Sequence, residues 1–219
     1  MDKSIFTIEG ERAAARIASL RRPDSLVFPI FTDPHAHTLS EDGMTSLFAA
    51  LSSIADAVPC DGVLALGDNL AMLGRERHAS DAEIAGLLAE ILERASACFS
   101  CPLYPVNGNH DGIGTDFFKP DLWYKVSRGY DRGTAVREGE SAYYYVDFPG
   151  VRMICLSLPS DSDLTAAHPT PAWEYGDAQL RWLAHTALAC DCPVLLVMHV
   201  PFYYEYRGER TAMLGTWNG

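Results

Sequence analysis

Four short polar motifs in this sequence carry side chains of the kinds that proteins use to bind divalent metal ions. Each motif follows an apolar run, and the four read Asp33-Pro34-His35, Gly67-Asp68, Gly108-Asn109-His110-Asp111 and His199. Their carboxylate, amide and imidazole groups form a mixed oxygen and nitrogen donor set, which suits Mn, Fe, Zn or Co ions rather than a sulfur-loving metal. The candidate metal ligands are Asp33, His35, Asp68, Asn109 and His199. Asp68 could bridge two ions, because a carboxylate has two oxygens.

Two metal ions bound by these residues would support hydrolytic chemistry at phosphorus. Ions about 3.5–4 Å apart can clamp a phosphoryl group, and they lower the pKa of a bound water towards about 7, which supplies hydroxide at neutral pH. The leaving oxygen then needs a proton. His110 could donate it, and Asp111 could orient or polarise the imidazole ring. The motifs therefore predict hydrolysis of a phosphomonoester or phosphodiester by in-line attack of metal-bound hydroxide, with His110 and Asp111 as catalytic residues.

The elements that would position these motifs alternate between short apolar strands and amphipathic helices. Each of four predicted strands is followed by one motif, and these strands cover residues 26–32, 62–66, 103–106 and 194–198. Helices are predicted at 10–20, 44–57, 80–97 and 178–188, with Ser80 and Asp81 as cap residues of the third. This order is typical of an α/β fold with parallel strands buried on both faces, in which ligands bind beyond the carboxyl ends of the strands. The four motifs are therefore expected at one shared site.

Between the third and fourth motifs the pattern changes to a hairpin. Two β-rich runs at 142–148 and 151–158 flank the turn residues Pro149-Gly150. The polar segment 160–171 is predicted to be an exposed loop. We found no internal repeat, low-complexity segment or linker, so the sequence predicts a single domain over residues 1–219.

The ordered motif set resembles that of the calcineurin-like metallophosphoesterases, from about residue 27 to residue 201. The hairpin and the segment YGDAQLRWL at 175–183 are also similar to this family. The resemblance implies a four-layer αββα sandwich with a dinuclear metal site. In that site Asp33 and His35 would bind one ion, Asp68 would bridge, and Asn109 and His199 would bind the second. His110 would be the acid.

The sequence departs from the family pattern at two places. Ala71 stands where the second motif usually continues to another Asp. The family also closes with a Gly-His-x-His motif, but the chain ends at residue 219, 20 residues after His199, and none of those residues is His. The chain could be a piece of a longer enzyme, other groups such as Glu205 or the C-terminal carboxylate could replace the ligands, or the site could be impaired.

Two alternative functions follow from these departures and from the motifs. A phosphoesterase-like domain that binds a ligand or partner without catalysis would not need the terminal histidines. A Ser/Thr protein phosphatase is less favoured, because that branch carries an Arg in its second and third motif regions and neither GDNLA nor GNHDG has one. The substrate class is left open, among nucleotides, phospholipid headgroups, sugar phosphates and cell-wall intermediates.

Substrate contacts are predicted around the third motif and in the aromatic and charged segment 202–210. Asn109 and His110 would lie against the phosphate. Tyr203 could stack on the substrate and Arg207 could pair with its phosphate. The same segment could equally be a packed aromatic lid with no role in specificity.

The overall charge narrows the choice of partners. The 219-residue chain has a formal net charge of -12, which disfavours long nucleic acid and anionic membrane surfaces as partners. No stretch approaches the roughly 20 apolar residues of a membrane span, and the first 22 residues lack an apolar run of signal-peptide length. We therefore expect a cytoplasmic protein with a small phosphorylated substrate, although a trimmed signal peptide and any oligomeric state are compatible with the sequence.

Overall fold

The computed structural model describes residues 4–36, 41–70, 80–108, 110–111, 120–157, 175–200, 203–206 and 209–212. Within these ranges the chain has the mixed α/β architecture that the alternating pattern predicts. The helices are α1 (Ile5–Leu20), α2 (Glu41–Ala57), α3 (Asp81–Ala97), α4 (Pro120–Ser127) and α5 (Asp177–Trp182), and a π-helical turn at Leu183–Ala187 continues α5. The strands are β1 (Ile30–Phe31), β2 (Val63–Ala65), β3 (Leu103–Pro105), β4 (Tyr144–Phe148), β5 (Val151–Cys155), β6 (Val194–Val197), β7 (Tyr203–Tyr206) and β8 (Glu209–Ala212).

Side-chain caps explain where two of the helices begin. Ser4 Oγ accepts a hydrogen bond from the Thr7 amide at 3.2 Å, so α1 starts five residues before the position that its sequence pattern predicts. α3 begins at a capping box. In this box Ser80 Oγ accepts from the Glu83 amide at 3.3 Å, and Glu83 Oε2 accepts from the Ser80 amide at 2.7 Å. The predicted cap at Ser80 is confirmed.

Within the described residues, the strands form two three-stranded sheets and a two-stranded ribbon. The first sheet is parallel and has the order β1-β2-β3, with Leu64 opposite both Ile30 and Tyr104. In the second sheet β4 and β5 form the predicted antiparallel hairpin, and β6 pairs in parallel with β5. β7 pairs with β8 in the ribbon. The strand before His199 therefore lies in a different sheet from the strands before the other three motifs.

Alternate residues of β2 and β3 contribute to two different apolar cores. Val63, Ala65 and Leu103 belong to a cluster that also contains buried residues of α2, α3 and α4. Leu64 and Tyr104 belong to a second cluster, which we call the intersheet core. Its buried members from the second sheet are Tyr144, Val146, Met153, Cys155 and Val197. These strands read as continuous apolar runs because both of their faces are covered.

The second sheet also contributes to a core on its other face. Ile154 of β5 lies in a cluster with Leu156, with Trp182 of α5 and with Ala187 of the π-helical turn. All six cysteines are free thiols. These apolar cores, rather than disulfide bonds, therefore hold the described elements together. No helix among the described residues is sufficiently long and apolar to cross a membrane.

Candidate metal centre

Five of the residues singled out from the sequence lie together where strands end. Asp33 and His35 follow β1, Asp68 follows β2, and His110 follows β3. His199 follows β6, in the other sheet. These five residues form two groups that share Asp68. One group is His35, Asp68 and His110, the other is Asp33, Asp68 and His199, and the possible ligand atoms of each group lie within 4.8 Å of one another.

The two carboxylate oxygens of Asp68 face different partners. Oδ2 lies 3.8 Å from Nε2 of His35 and 3.8 Å from Nε2 of His110. Oδ1 lies 3.3 Å from Nε2 of His199. The side chain of Asp68 is only 5% exposed, so it is held between the two groups rather than displayed to solvent. A carboxylate placed in this way can offer one oxygen to each group.

Backbone carbonyls orient two of the imidazole rings. Nδ1 of His199 lies 2.7 Å from the carbonyl oxygen of Leu66, and Nδ1 of His35 lies 3.2 Å from that of Leu70. A carbonyl oxygen can only accept, so each Nδ1 carries the hydrogen and donates it. In the neutral ring the lone pair is then on Nε2, which faces Asp68 in both cases. Histidines that ligate metals are oriented in this way by their surroundings.

The backbone of the site residues is held in an uncommon conformation. Asp33, His35 and Asp68 have φ angles of 52°, 40° and 51°, in the left-handed region that non-glycine residues seldom occupy. Hydrogen bonds between the loops after β1 and β2 fix these angles: the Asp33 amide donates to Gly67 O at 3.0 Å and the His35 amide donates to Asp68 O at 3.1 Å. Such strain is concentrated at functional sites in proteins.

Asp111 connects the loop after β3 to the loop after β2. Its carboxylate, which is buried, accepts from Asn69 Nδ2 at 2.8 Å, from the Leu70 amide at 2.9 Å and from the Gly108 amide at 3.0 Å. Burial raises the pKa of Asp111 to about 6, even though these hydrogen bonds favour the ionised form. The hydrogen bonds that the described residues make to this carboxylate thus lead to loop backbone and to Asn69. They do not support the predicted contact with the His110 ring.

The sequence patterns did not single out Asn69 as a part of the site. It is fully buried, and its amide nitrogen is one of the donors to Asp111. The signal available in the sequence was its position directly after Asp68, but an Asn beside a strand end is more often a turn residue. Its partner is 42 residues away, so only the folded chain identifies its role.

Neighbouring groups change the proton affinity of Asp68 and His199. Burial alone would raise the pKa of Asp68, but the hydrogen bond from Nε2 of the protonated His199 ring and that from the His110 amide hold it below its usual value. Burial opposes protonation of His199, yet the hydrogen bond and the negative charge of Asp68 raise its pKa overall. Asp68 is therefore ionised at neutral pH, as a metal ligand must be.

Several predicted site residues cannot be placed by this geometry. Asn109 and Arg207 lie outside the described residues, and so does Ala71. Tyr203 and Glu205 belong to β7, of which only the backbone is described. Their roles as ligands or substrate contacts stay predictions.

Comparison with known proteins assigns no family. No protein-family model matches the chain, and no curated protein matches its sequence. The resemblance noted above therefore depends on the four motifs themselves, and the geometry around Asp68 is an independent observation about the same residues.

Proposed function

We propose that the protein is a metal-dependent phosphoesterase that hydrolyses a phosphomonoester or phosphodiester with two divalent metal ions. The observation that carries this proposal is the position of Asp68, whose two oxygens face two separate groups of ligand atoms. An isolated cluster of acidic and histidine residues is common on protein surfaces. A buried carboxylate shared by two groups, each with an imidazole whose Nδ1 is tied to the backbone, is a more specific arrangement.

The donor set fits divalent ions of the Mn, Fe, Zn or Co type. One group offers two imidazole nitrogens and a carboxylate, and the other offers one imidazole nitrogen and two carboxylates. We assign His35 to the first ion, His199 to the second and Asp68 to both. Asp33 groups with Asp68 and His199, but its Oδ1 is also 3.7 Å from His35 Nε2, so it can serve the first ion, to which we assign it. Asn109 is proposed as a further ligand of the second ion. When bound, the ions would polarise the phosphoryl group and activate a water molecule.

His110 is proposed as the residue that protonates the leaving oxygen. Its ring meets that of His35 edge-on, with centroids 5.0 Å apart, and is 28% exposed, so it can reach both the ligand cluster and a bound substrate. The backbone amide of His110 donates to Asp68 Oδ1 at 2.8 Å, and this bond holds in place the backbone from which the His110 side chain projects. Asp111 supports this position through the backbone of its loop. Tyr203 and Arg207 are proposed to contact the substrate.

The finer architecture proposed with this function is a four-layer αββα sandwich. The intersheet core supports it, because it contains side chains from both three-stranded sheets. The two outer layers of this proposed sandwich are supported by the cluster that the first sheet shares with α2, α3 and α4, and by the cluster that the second sheet shares with α5.

The proposal is tested by measuring hydrolysis of an aryl phosphate monoester and an aryl phosphate diester by the 219-residue chain, with Mn²⁺ and with a chelator. Asp68→Asn is the test variant, and Asp147→Asn, at a surface carboxylate on the β4–β5 hairpin, is the matched control. We expect metal-dependent turnover by the parent and by the control, but not by Asp68→Asn. Metal uptake without turnover by the parent would instead favour the non-catalytic binding domain, and no uptake would overturn the metal site.

A further inference from the structure

The candidate metal centre is built from both three-stranded sheets. Asp33, Asp68 and His110 follow strands of the first sheet, whereas His199 follows β6 of the second. The separation of 3.3 Å between His199 Nε2 and Asp68 Oδ1, like the 2.7 Å hydrogen bond from His199 Nδ1 to Leu66 O, therefore depends on how one sheet is positioned on the other. A small displacement of the sheets would move one imidazole away from the shared carboxylate.

The intersheet core by itself cannot specify this position to the accuracy that a ligand cluster needs. Apart from the hydrogen bond that Tyr144 Oη donates to Pro105 O at 3.0 Å, its contacts are apolar, and the hydrophobic effect is non-directional. Hydrogen bonds between buried groups are directional and costly to break, so they can define the position.

A buried polar network connects the two sheets at the edge where the metal centre lies. Ser157, two residues after β5, donates from Oγ to Asn107 Oδ1 at 2.5 Å. Asn107, two residues after β3, directly precedes Gly108. Both side chains are almost completely excluded from solvent, with exposures of 1% and 0%.

Gln179 of α5 holds Ser157 in place at two points. Its Oε1 accepts from the Ser157 amide at 2.8 Å, and its Nε2 donates to the Ser157 carbonyl at 2.9 Å. The primary amide therefore pairs with the backbone as a neighbouring strand would. Gln179 is fully buried, and Trp182 on the same helix packs in the core with Ile154. This packing holds the helix, and with it the Gln179 amide, in a fixed position.

The network leads to both halves of the metal centre. On the first sheet it continues from Asn107 to Gly108. The Gly108 amide donates to the Asp111 carboxylate, and the same loop contains His110. On the second sheet Leu156, next to Ser157, donates from its amide to Val197 O at 2.9 Å, two residues before His199.

We propose that Gln179 is a positioning residue of the metal centre, acting through Ser157 and Asn107 to hold His199 in register with Asp68 and the His110 loop. This assignment rests on the proposed function and extends it, because α5, which contributes no proposed ligand, then helps to position the metal centre. Gln179 itself contacts neither metal nor substrate in this assignment.

The test compares Gln179→Leu and Ser157→Ala with a matched control, Tyr104→Phe, in the full chain. Tyr104→Phe also removes one hydrogen bond from a buried side chain of β3, the bond between Tyr104 Oη and Thr134 Oγ1 at 3.0 Å, but leaves the network intact. Ser157→Thr keeps the hydroxyl and serves as the conservative rescue. Two quantities are measured at one pH: the ¹⁵N imidazole resonances of His199 in the metal-free chain, and the affinity for Mn²⁺.

We expect Gln179→Leu and Ser157→Ala to shift or broaden the His199 resonances and to weaken Mn²⁺ binding about 10-fold or more, the usual range for groups that orient ligands. Ser157→Thr should restore both, and Tyr104→Phe should change neither even if it lowers the melting temperature. If Gln179→Leu does not fold, Ser157→Ala decides alone. Unchanged His199 resonances in a folded variant would overturn the positioning role. If the parent binds no Mn²⁺, the proposed function fails, and the His199 resonances still decide this inference.

Discussion

The backbones of Gly67 and Gly108 are in direct contact, so that a Cβ atom placed on Gly67 would be 2.5 Å from the amide nitrogen of Gly108. Gly67 also has a φ of 94°, which favours glycine. The loops after β2 and β3 therefore approach each other with no side chain between them. This close approach is what allows the His110 amide to reach Asp68.

Replacement of Gly108 by Ala should damage both the fold and the site. The added Cβ would lie 2.1 Å from Asp68 Oδ1 and 2.3 Å from the Asp68 amide nitrogen, so the backbone of the loops must move apart. We expect a loss of roughly 1–3 kcal/mol in the free energy of unfolding, as for other overpacked sites, together with weaker Mn²⁺ binding. Thermal or urea unfolding and a metal titration measure these effects.

Gly86→Ala is the control for this experiment. Gly86 lies in the interior of α3, is exposed, and has no atom within 4 Å of its Cβ position. The same substitution should there stabilise the protein by about 0.8–1 kcal/mol through helix propensity. If Gly108→Ala proved as stable as the parent and bound Mn²⁺ equally well, the close approach of the loops would be unnecessary for both stability and metal binding.

Asp111→Asn should loosen the connection between the same two loops. The amide side chain of this variant would have an NH₂ group in place of one carboxylate oxygen. That NH₂ group would face at least one of the N–H groups that now donate to Asp111, so at least one buried N–H group would lose its acceptor. We expect a cost of about 1–3 kcal/mol in stability. Amide hydrogen exchange provides a local measurement, because the Leu70 and Gly108 amides should lose protection. Retained protection at both amides would contradict the loop-connecting role.

His110→Ala should separate ligand binding from proton donation. If His110 protonates the leaving oxygen, the variant retains its metal but loses about 10²–10⁴-fold in kcat on an ester with a poor leaving group. Metal content and kcat are measured on the same preparation. His185→Ala, at an exposed histidine of the π-helical turn, is the control. Loss of one ion from His110→Ala would instead make His110 a ligand, which its 3.8 Å distance from Asp68 Oδ2 also permits.

Metal binding should stabilise the folded chain in a way that depends on Asp68. Free Mn²⁺ at 100 times its dissociation constant should add about 2.7 kcal/mol to the free energy of unfolding, and a chelator should remove this gain. The rise in melting temperature with Mn²⁺ should vanish in Asp68→Asn and persist in Asp147→Asn. An equal rise in all three proteins would show that Mn²⁺ binds elsewhere.

Local sequence patterns were sufficient to predict much of the first sheet and its loops. The apolar runs before Asp68 and His110 predicted the buried strands β2 and β3. The run at 26–32 before Asp33 also predicted a buried strand, but β1 covers only Ile30–Phe31, and Ile30 is 55% exposed. The carboxyl ends of the parallel strands meet at one edge. The candidate ligands at those strand ends could therefore be assigned to one site without knowing which strands pair with each other. The cap at Ser80 and the β4–β5 hairpin were predictable for a similar reason, because each depends on residues that are close in sequence.

The tertiary structure alone decided the relationships between distant segments. It placed β6 beside β5, so that His199 reaches Asp68 from the second sheet. It turned Asp111, a residue that the sequence favoured as a partner of the neighbouring His110, towards Asn69 and Leu70, which are 42 and 41 positions away. By itself the sequence determined which side chains are available at the strand ends, because periodicity and turn chemistry act locally. Which of them meet depends on the packing of the sheets and the satisfaction of buried hydrogen bonds, and those terms act between residues far apart in the chain.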